Sequence, residues 1–215
     1  KYHGRLFSTE SKFGLLRQAQ LQAASDPETR LAIARQMIRG KLSNLRTMLM
    51  RYLRETANAS VQEAVNGLRQ SIERLEGVTD IASLQGIEGY SSVLYYNALR
   101  NLLKYDLGFR VRVRRPPRDP VNSLLSFGYT LLVYAAQAAV RTVGLDPFIG
   151  FLHSTEYSKP SLALDIMEEF RPVIVDSIVL RVVNNRILTV NDFERASDYE
   201  GMVRLKPEAI KTFLH

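Results

Sequence analysis

Residues 26–55 read DPETRLAIARQMIRGKLSNLRTMLMRYLRE, and this stretch decides the fold class. Asp26 offers a side-chain cap, and Pro27 suits the first helical position, where its missing N–H needs no partner. Apolar residues recur with helical spacing and fill one arc of a helical wheel. The arc consists of Leu31, Met37, Ile38, Leu42, Leu45, Met48 and Leu49. The stretch therefore predicts an amphipathic helix from Pro27 to about Glu55.

Helical periodicity continues on both sides of this stretch. We predict further helices over residues 12–24, 60–76 (capped by Ser60), 83–105, 121–143, 160–183 (kinked at Pro172) and 207–214. Residues 109–115 alternate between apolar residues and Arg, and three prolines follow, so this segment should be extended or loop-like. The sequence thus predicts an all-α fold: a single multi-helix domain with an extended Arg-rich connector and short irregular C-terminal elements.

The composition excludes several classes of protein. The chain has no Cys, which rules out a disulfide scaffold, a thiolate zinc site and a cysteine nucleophile. Of three His residues only His153 is internal, so any His-based chemistry falls on it. The formal net charge of +7 favours a polyanionic partner, usually nucleic acid. No apolar leader is visible at the N-terminus, and the apolar run at 124–140 is interpreted as a buried helix, not a membrane segment.

Glu88 is the first candidate for chemistry, because Gly86 and Gly89 bracket it inside a helical pattern. Each Gly costs about 1 kcal/mol in a helix relative to Ala, so the pair suggests that something approaches the backbone closely here. Glu88 also leads a largely apolar stripe, where an acid must be partnered or functional. The alternative is an ordinary acid near a helix start, favoured by the helix dipole.

His153 is the second candidate, and acids follow it on the helix predicted from Pro160. Asp165 and Glu168 are three residues apart and share a helix face, with Glu169 as a rival to Glu168. A loop histidine with local hydrogen bonds and a plain amphipathic helix would give the same pattern.

The third candidate is a run of five arginines within residues 110–118: Arg110, Arg112, Arg114, Arg115 and Arg118. In an extended chain, alternation would place Arg110, Arg112 and Arg114 on one side. Arginine suits bidentate phosphate contacts, which give sequence-independent affinity for nucleic acid. A solvent-facing basic edge is the alternative.

Together these motifs resemble one family, the CRISPR-associated adaptation integrases that insert new spacers. The resemblance is carried by LQGIEG at 84–89 with YY at 95–96, RPPRDPVN at 115–122 with LLSFGY at 124–129, GLDP at 144–147, GFLH at 150–153, PSLALD at 160–165 and EEFRP at 168–172. It is specific over residues 84–183 and loose over residues 1–80. It implies that residues 1–80 are a linker and N-terminal helices, and that residues 81–215 are the catalytic core of the same helical domain.

The resemblance also implies the ligands and partners. Glu88, His153 and Glu168 correspond to a trio that binds Mg²⁺ or Mn²⁺, Asp165 to an assisting acid, and Asn122 to a residue that positions the site or contacts DNA. The implied partners are double-stranded DNA with 3′-hydroxyl ends, a second copy in a homodimer and a small adaptation subunit. Some relatives are fused to a reverse transcriptase. Family members carry an N-terminal β domain, which this sequence lacks as given, and are cytoplasmic prokaryotic proteins.

The residues themselves are compatible with this chemistry. Carboxylates plus one imidazole suit Mn²⁺ or hydrated Mg²⁺, which can stabilise charge at a phosphodiester. Converging carboxylates repel without metal, so we expect raised pKa values for Glu88 and Glu168. The alternative is a non-catalytic helical module that binds nucleic acid or acts as a scaffold. A metal phosphohydrolase of another helical class fits less well, because the sequence has no adjacent His-Asp pair.

Overall fold

The described residues, 13–55, 57–154, 156–196 and 200–214 of a computed structural model, form eight α-helices and one short hairpin. The helices are α1 Gly14–Ser25, α2 Pro27–Leu53, α3 Ala59–Arg74, α4 Ile81–Leu102, α5 Pro120–Thr142, α6 Ser161–Phe170, α7 Ser177–Asn184 and α8 Pro207–Leu214. Strands β1 (Phe193–Arg195) and β2 (Val203–Leu205) pair antiparallel, with Phe193 opposite Leu205. The all-α prediction is confirmed, and residues 1–12 of the predicted linker and N-terminal helices lie outside the described residues.

Helix α2 is the central element, and the predicted cap at its start is confirmed. The Asp26 carboxylate accepts a hydrogen bond from the Thr29 amide at 2.9 Å, and Pro27 opens the first turn. One face of α2 is buried against α3, α4 and α6. That face consists of Ala34, Ile38, Lys41, Leu42, Leu45, Met48 and Leu49. A lysine therefore lies on the apolar face.

Two helix starts differ from the predictions by a few residues. Asn58, not Ser60, caps α3 by accepting from the Val61 amide at 3.2 Å. Asp80 caps α4 by accepting from the Ser83 amide at 2.8 Å, so α4 begins at Ile81. In both cases another capping residue lies a few positions upstream, and either choice satisfies the exposed amides.

Pro172 interrupts the last long helix, as predicted. Residues Arg171–Asp176 form a π-helical segment between α6 and α7. A proline lacks the N–H for the α-helical bond and clashes with the carbonyl four residues earlier, and a wider turn relieves both conflicts. The segment leaves Glu168 and Asp176 both buried on one continuous helical run.

Helix α5 is long and apolar enough to span a membrane by length and composition, a test that core helices also pass. Its first half is buried, including Val121, Leu124 and Leu125, and it packs against α6 and the π-helical segment. Leu131 and Tyr134 in the second half are exposed. The predicted burial therefore holds for the first half of α5.

Candidate metal centre

The carboxylates of Glu88 and Glu168 meet at one buried cation, the ammonium of Lys41. Glu88 lies on α4, Glu168 on α6 and Lys41 on α2. The Lys41 Nζ atom lies 2.6 Å from Glu168 Oε2 and also contacts Glu88 Oε1. Lys41 is only 4% exposed. Two acids that are far apart in the sequence are thus brought to one point, as predicted.

Each carboxylate has a second partner. Arg171 Nη1 lies 2.9 Å from Glu168 Oε1, and the Ser92 hydroxyl donates to Glu88 Oε1 at 2.8 Å. Burial alone would raise the pKa of Glu168, but the cations of Lys41 and Arg171 outweigh it and hold the pKa below its ordinary value. The predicted rise in the pKa of Glu168 is therefore wrong, because Lys41 bridges the two carboxylates and Arg171 pairs with Glu168.

The ammonium of Lys41 is stabilised by the same contacts. Burial alone would lower the pKa of Lys41, but the carboxylates of Glu168 and Glu88 outweigh it and raise the pKa above its ordinary value. Lys41 is therefore charged at neutral pH. A buried charge of this kind persists only with close partners of opposite sign.

Asp165 holds His153 in place. Its buried carboxylate accepts hydrogen bonds from the amides of residues 151, 152 and 153 at 2.6, 3.0 and 3.0 Å, and its Oδ1 lies 2.7 Å from His153 Nδ1. Because Nδ1 is engaged, Nε2 is the ring nitrogen left for a ligand, as in many metal sites. Gly150 makes this approach possible: a Cβ there would lie 2.8 Å from the Ser161 carbonyl carbon and 2.9 Å from Asp165 Oδ2.

Among the described residues, no group of three or more His, Asp or Glu side chains is arranged to hold a metal ion as it stands. The donor set nevertheless fits a divalent ion. Glu88 and Glu168 already converge on a cation, and oxygen ligands with one imidazole suit Mn²⁺ or Mg²⁺. The loop that carries His153 lies against α4, because Gln85 Nε2, three residues before Glu88, donates to the Leu152 carbonyl at 3.2 Å.

Glu169, the rival to Glu168, lies elsewhere. Its carboxylate packs against Gly40 on α2, where an added Cβ would overlap it. Its backbone carbonyl accepts from Asn44 Nδ2 at 2.9 Å. Glu168 therefore shares the cation with Glu88, and Glu169 helps to pack α6 against α2.

The two glycines beside Glu88 face open space. No atom of the described residues that could obstruct a Cβ at Gly86 or Gly89 lies within 4 Å of it. The expected close approach to the backbone is thus not made by the described part of the chain. The helix face next to Glu88 is open.

The Arg-rich connector is irregular, and its arginines point in different directions. Arg110 is exposed and pairs with Asp106 at 2.7 Å. Arg112 turns inward, bonding to Asn122 Oδ1 at 2.8 Å and Ser126 Oγ at 3.0 Å. The exposed arginines further along are Arg114, Arg115 and Arg118. The expectation that Arg110, Arg112 and Arg114 share one side is wrong for Arg112, because a polar pocket on α5 binds its guanidinium.

Asn122 organises the connector from inside. It is fully buried, and its Oδ1 accepts from the Val113 amide at 2.9 Å. Its Nδ2 donates to the Val111 carbonyl at 2.8 Å and to Asp119 Oδ2 at 2.6 Å. These bonds give Asn122 a role in holding the connector, and its buried amide faces the protein interior.

Sequence reasoning missed three charged residues of this region: Lys41, Arg171 and Asp176. Lys41 could have been found, because it falls between Ile38, Leu42 and Leu45 on the apolar face of α2. Asp176 is bonded by Tyr95, whose hydroxyl donates to Oδ2 at 2.7 Å, and by Tyr129, whose hydroxyl donates to Oδ1. Burial raises the pKa of Asp176 to about 6 despite these donors.

An all-α body with paired carboxylates, an oriented imidazole and a basic connector is the arrangement expected for the helical domain of a CRISPR-associated adaptation protein. The chain belongs to the Cas1 family, because the family model described as CRISPR associated protein Cas1 matches residues 1–215. The motif resemblance is thereby confirmed.

Individual relatives support this membership. The CRISPR-associated endonuclease Cas1 3 of Thermus thermophilus is 42% identical over 213 residues, covering 99% of this chain and 61% of that protein. A casposase bound to an integration product is 28% identical with a TM-score of 0.86, covering 97% of this chain and 60% of that one. A chain of a partial Cas6-RT-Cas1–Cas2 complex is 29% identical with a TM-score of 0.84, covering 91% and 58%. The present chain thus spans about 60% of the length of these relatives.

Proposed function

We propose that the protein is a metal-dependent DNA endonuclease and integrase, which joins the 3′-hydroxyl ends of new spacer DNA into a CRISPR array by transesterification. The observation that carries the proposal is the convergence of Glu88 and Glu168 on one buried cation. The loop of His153, whose ring pairs with Asp165, is held against the helix of Glu88 by Gln85. The casposase relative, which was solved with an integration product, supports the same class of reaction.

Three side chains would hold Mg²⁺ or Mn²⁺: Glu88, Glu168 and His153 through Nε2. When bound, the ion stabilises charge on the attacking and leaving oxygens of the phosphodiester. Asp165 fixes the orientation of His153, and Arg171 holds Glu168. The nucleophile is a DNA 3′-hydroxyl, so one phosphodiester bond forms as one breaks. The chemistry needs no protein nucleophile, which agrees with a chain without Cys.

The exposed arginines of the connector would bind the DNA backbone. Arg114, Arg115 and Arg118 can approach phosphates directly, whereas Arg110 must release Asp106 first. Arg112 and Asn122 would hold the connector in shape from its buried side. The open helix face at Gly86 and Gly89 would let a DNA strand pass close to Glu88.

We also propose that residues 81–215 form the catalytic core, that the protein works as a homodimer with a small adaptation subunit, and that it acts in the prokaryotic cytoplasm. One neighbour occurs in a complex with Cas2 and a Cas6–reverse transcriptase fusion, which supports such an assembly. The same neighbour is named as a Cas6-RT-Cas1 protein. It therefore also supports a parent protein in which this chain is fused to a reverse transcriptase.

Strand transfer tests the function. Short duplexes with 3′-hydroxyl ends would be incubated with a plasmid bearing a CRISPR array, the partner subunit and MnCl₂. We expect Glu88→Ala and His153→Ala to lower joining by more than about 100-fold with unchanged circular dichroism. The exposed Glu63→Ala is the matched control and should join normally. Full joining by both site variants would refute the proposal.

A second candidate is a DNA-binding module without chemistry, favoured by the exposed connector arginines. It predicts salt-sensitive DNA binding that survives the loss of Glu88, with no joined product from wild-type protein under any metal condition.

A further inference from the structure

We propose that Lys41 is an internal counter-ion that occupies the metal position, so that a divalent ion binds only when the Lys41 ammonium withdraws from Glu88 and Glu168. The inference rests on the proposed function, since it takes these two carboxylates as metal ligands. The new element is that the Lys41 ammonium, on α2, competes with the metal ion for the two carboxylates.

The contacts of Lys41 place its charge where the divalent ion would have to be. Its Nζ atom touches one oxygen from each of the two carboxylates and makes the contacts that a shared metal ion would make. Both Lys41 and Glu168 are about 5% exposed, so solvent screens little of the repulsion between an ammonium and an arriving cation. An ion bound to both of these oxygens would overlap the Nζ atom, which already contacts the same two atoms.

The surroundings allow the ammonium to leave. Glu168 keeps its ion pair with Arg171, and Glu88 keeps the hydrogen bond from Ser92. A lysine head lies on a flexible four-carbon stem, so it can move without a shift of the α2 backbone. Neither carboxylate is left without a partner in either state.

The position of Lys41 in the sequence agrees with this role. It lies on the buried face of α2, between Ile38 and Leu45, where an apolar residue would pack at no electrostatic cost. A lysine there holds two acids together while no metal is bound. It also weakens metal binding, because the ion must displace a charge already in place.

Metal affinity measures the competition without any catalytic readout. Calorimetric titration with MnCl₂ would compare wild type, Lys41→Met and the exposed control Lys211→Met, which removes the same charge elsewhere. We expect Lys41→Met to bind Mn²⁺ about tenfold more tightly or better, and Lys211→Met to match wild type. Lys41→Gln serves in the same way if the Met variant does not fold.

Equal or weaker binding by the Lys41 variants would overturn the inference while leaving the proposed function standing, provided that wild type binds Mn²⁺ and Glu88→Ala does not. No Mn²⁺ binding by wild type or by the Lys41 variants would refute both.

A measurement on wild type alone gives a second test. Lys41 is the buried lysine of the described residues, so its ammonium should give a slowly exchanging ¹⁵N signal. Saturating MgCl₂ should shift or remove that signal. A signal unchanged at saturation would contradict withdrawal.

Discussion

Glu168 and Asp176 lie on one helical run, both nearly inaccessible to solvent, yet their environments shift their pKa values in opposite directions. Glu168 faces the cations of Lys41 and Arg171, which outweigh burial and lower its pKa. Asp176 faces the neutral hydroxyls of Tyr95 and Tyr129, and burial raises its pKa to about 6. Burial alone does not decide whether an acid stays charged; the charge of its partners does.

This difference separates the proposed metal ligand from a structural acid. Glu168 is kept ionised, which is the state that a metal ligand requires. Asp176 has a raised pKa and is protonated at mildly acidic pH. Its carboxylate accepts hydrogen bonds from two buried tyrosines, Tyr95 and Tyr129. Arg171 connects the two regions, because it pairs with Glu168 and stacks at 4.6 Å over the ring of Tyr129, which also donates to Asp176.

The largest expected effect on stability comes from Glu168→Gln. This change removes the ion-pair partner of Arg171 and leaves Lys41 with only Glu88, so the free energy of unfolding should fall by about 3 kcal/mol. Urea unfolding at pH 7 without metal measures it. The exposed Glu63→Gln should change stability by less than about 0.5 kcal/mol. If Glu168→Gln also lowers the free energy of unfolding by less than about 0.5 kcal/mol, the ion pairs of Glu168 with Lys41 and Arg171 do not stabilise the fold.

The next largest effect is the pH dependence of stability that the titration of Asp176 causes. Its pKa is higher in the folded protein than the ordinary 3.8, so the folded state binds the proton more tightly. The contribution of Asp176 to stability should therefore rise as the pH falls from 7 through about 6 towards 4, by up to about 3 kcal/mol. Asp176→Asn should remove this rise, which urea unfolding at several pH values would detect.

The control for that pH series is Asp106→Asn. Asp106 is exposed and its pKa is about 2, held down by hydrogen bonds from Arg110 and Gly108. Its titration lies below the tested range, so the variant should keep the full rise. If the free energy of unfolding of Asp176→Asn still rises as the pH falls, the rise is due to another titratable group.

The smallest effect is expected from Tyr129→Phe. It removes one hydrogen-bond donor from the Asp176 carboxylate, which should cost about 1 kcal/mol at pH 7. The loss should shrink at pH 5, where Asp176 is protonated. Tyr134→Phe, at an exposed tyrosine of the same helix, is the matched control. An equal loss at both pH values would mean that the hydroxyl does not act through the charge of Asp176.

The sequence predicts those features that depend on neighbouring residues. Asp26 and Pro27 fix the start of α2 because both act within one turn. Pro172 disturbs its helix for the same local reason. Asn58 and Ser60 are both capping residues, and the choice between them depends on how α3 packs.

Features that depend on distant partners could not be predicted. The direction of the pKa shift of Glu168 depends on Lys41, 127 positions away. Periodicity places this lysine on the apolar face of α2 but does not reveal which acids it meets. Arg112 turns inward because Asn122 and Ser126 on α5 offer acceptors that the alternation of residues 109–115 does not reveal.

A crystal structure with MnCl₂, using the anomalous signal to locate manganese, tests the metal site most directly. We predict one Mn²⁺ bound by Glu88, Glu168 and His153 Nε2, with the Lys41 ammonium displaced from both carboxylates. Manganese bound at another place, with Lys41 still joining Glu88 to Glu168, would contradict the assignment.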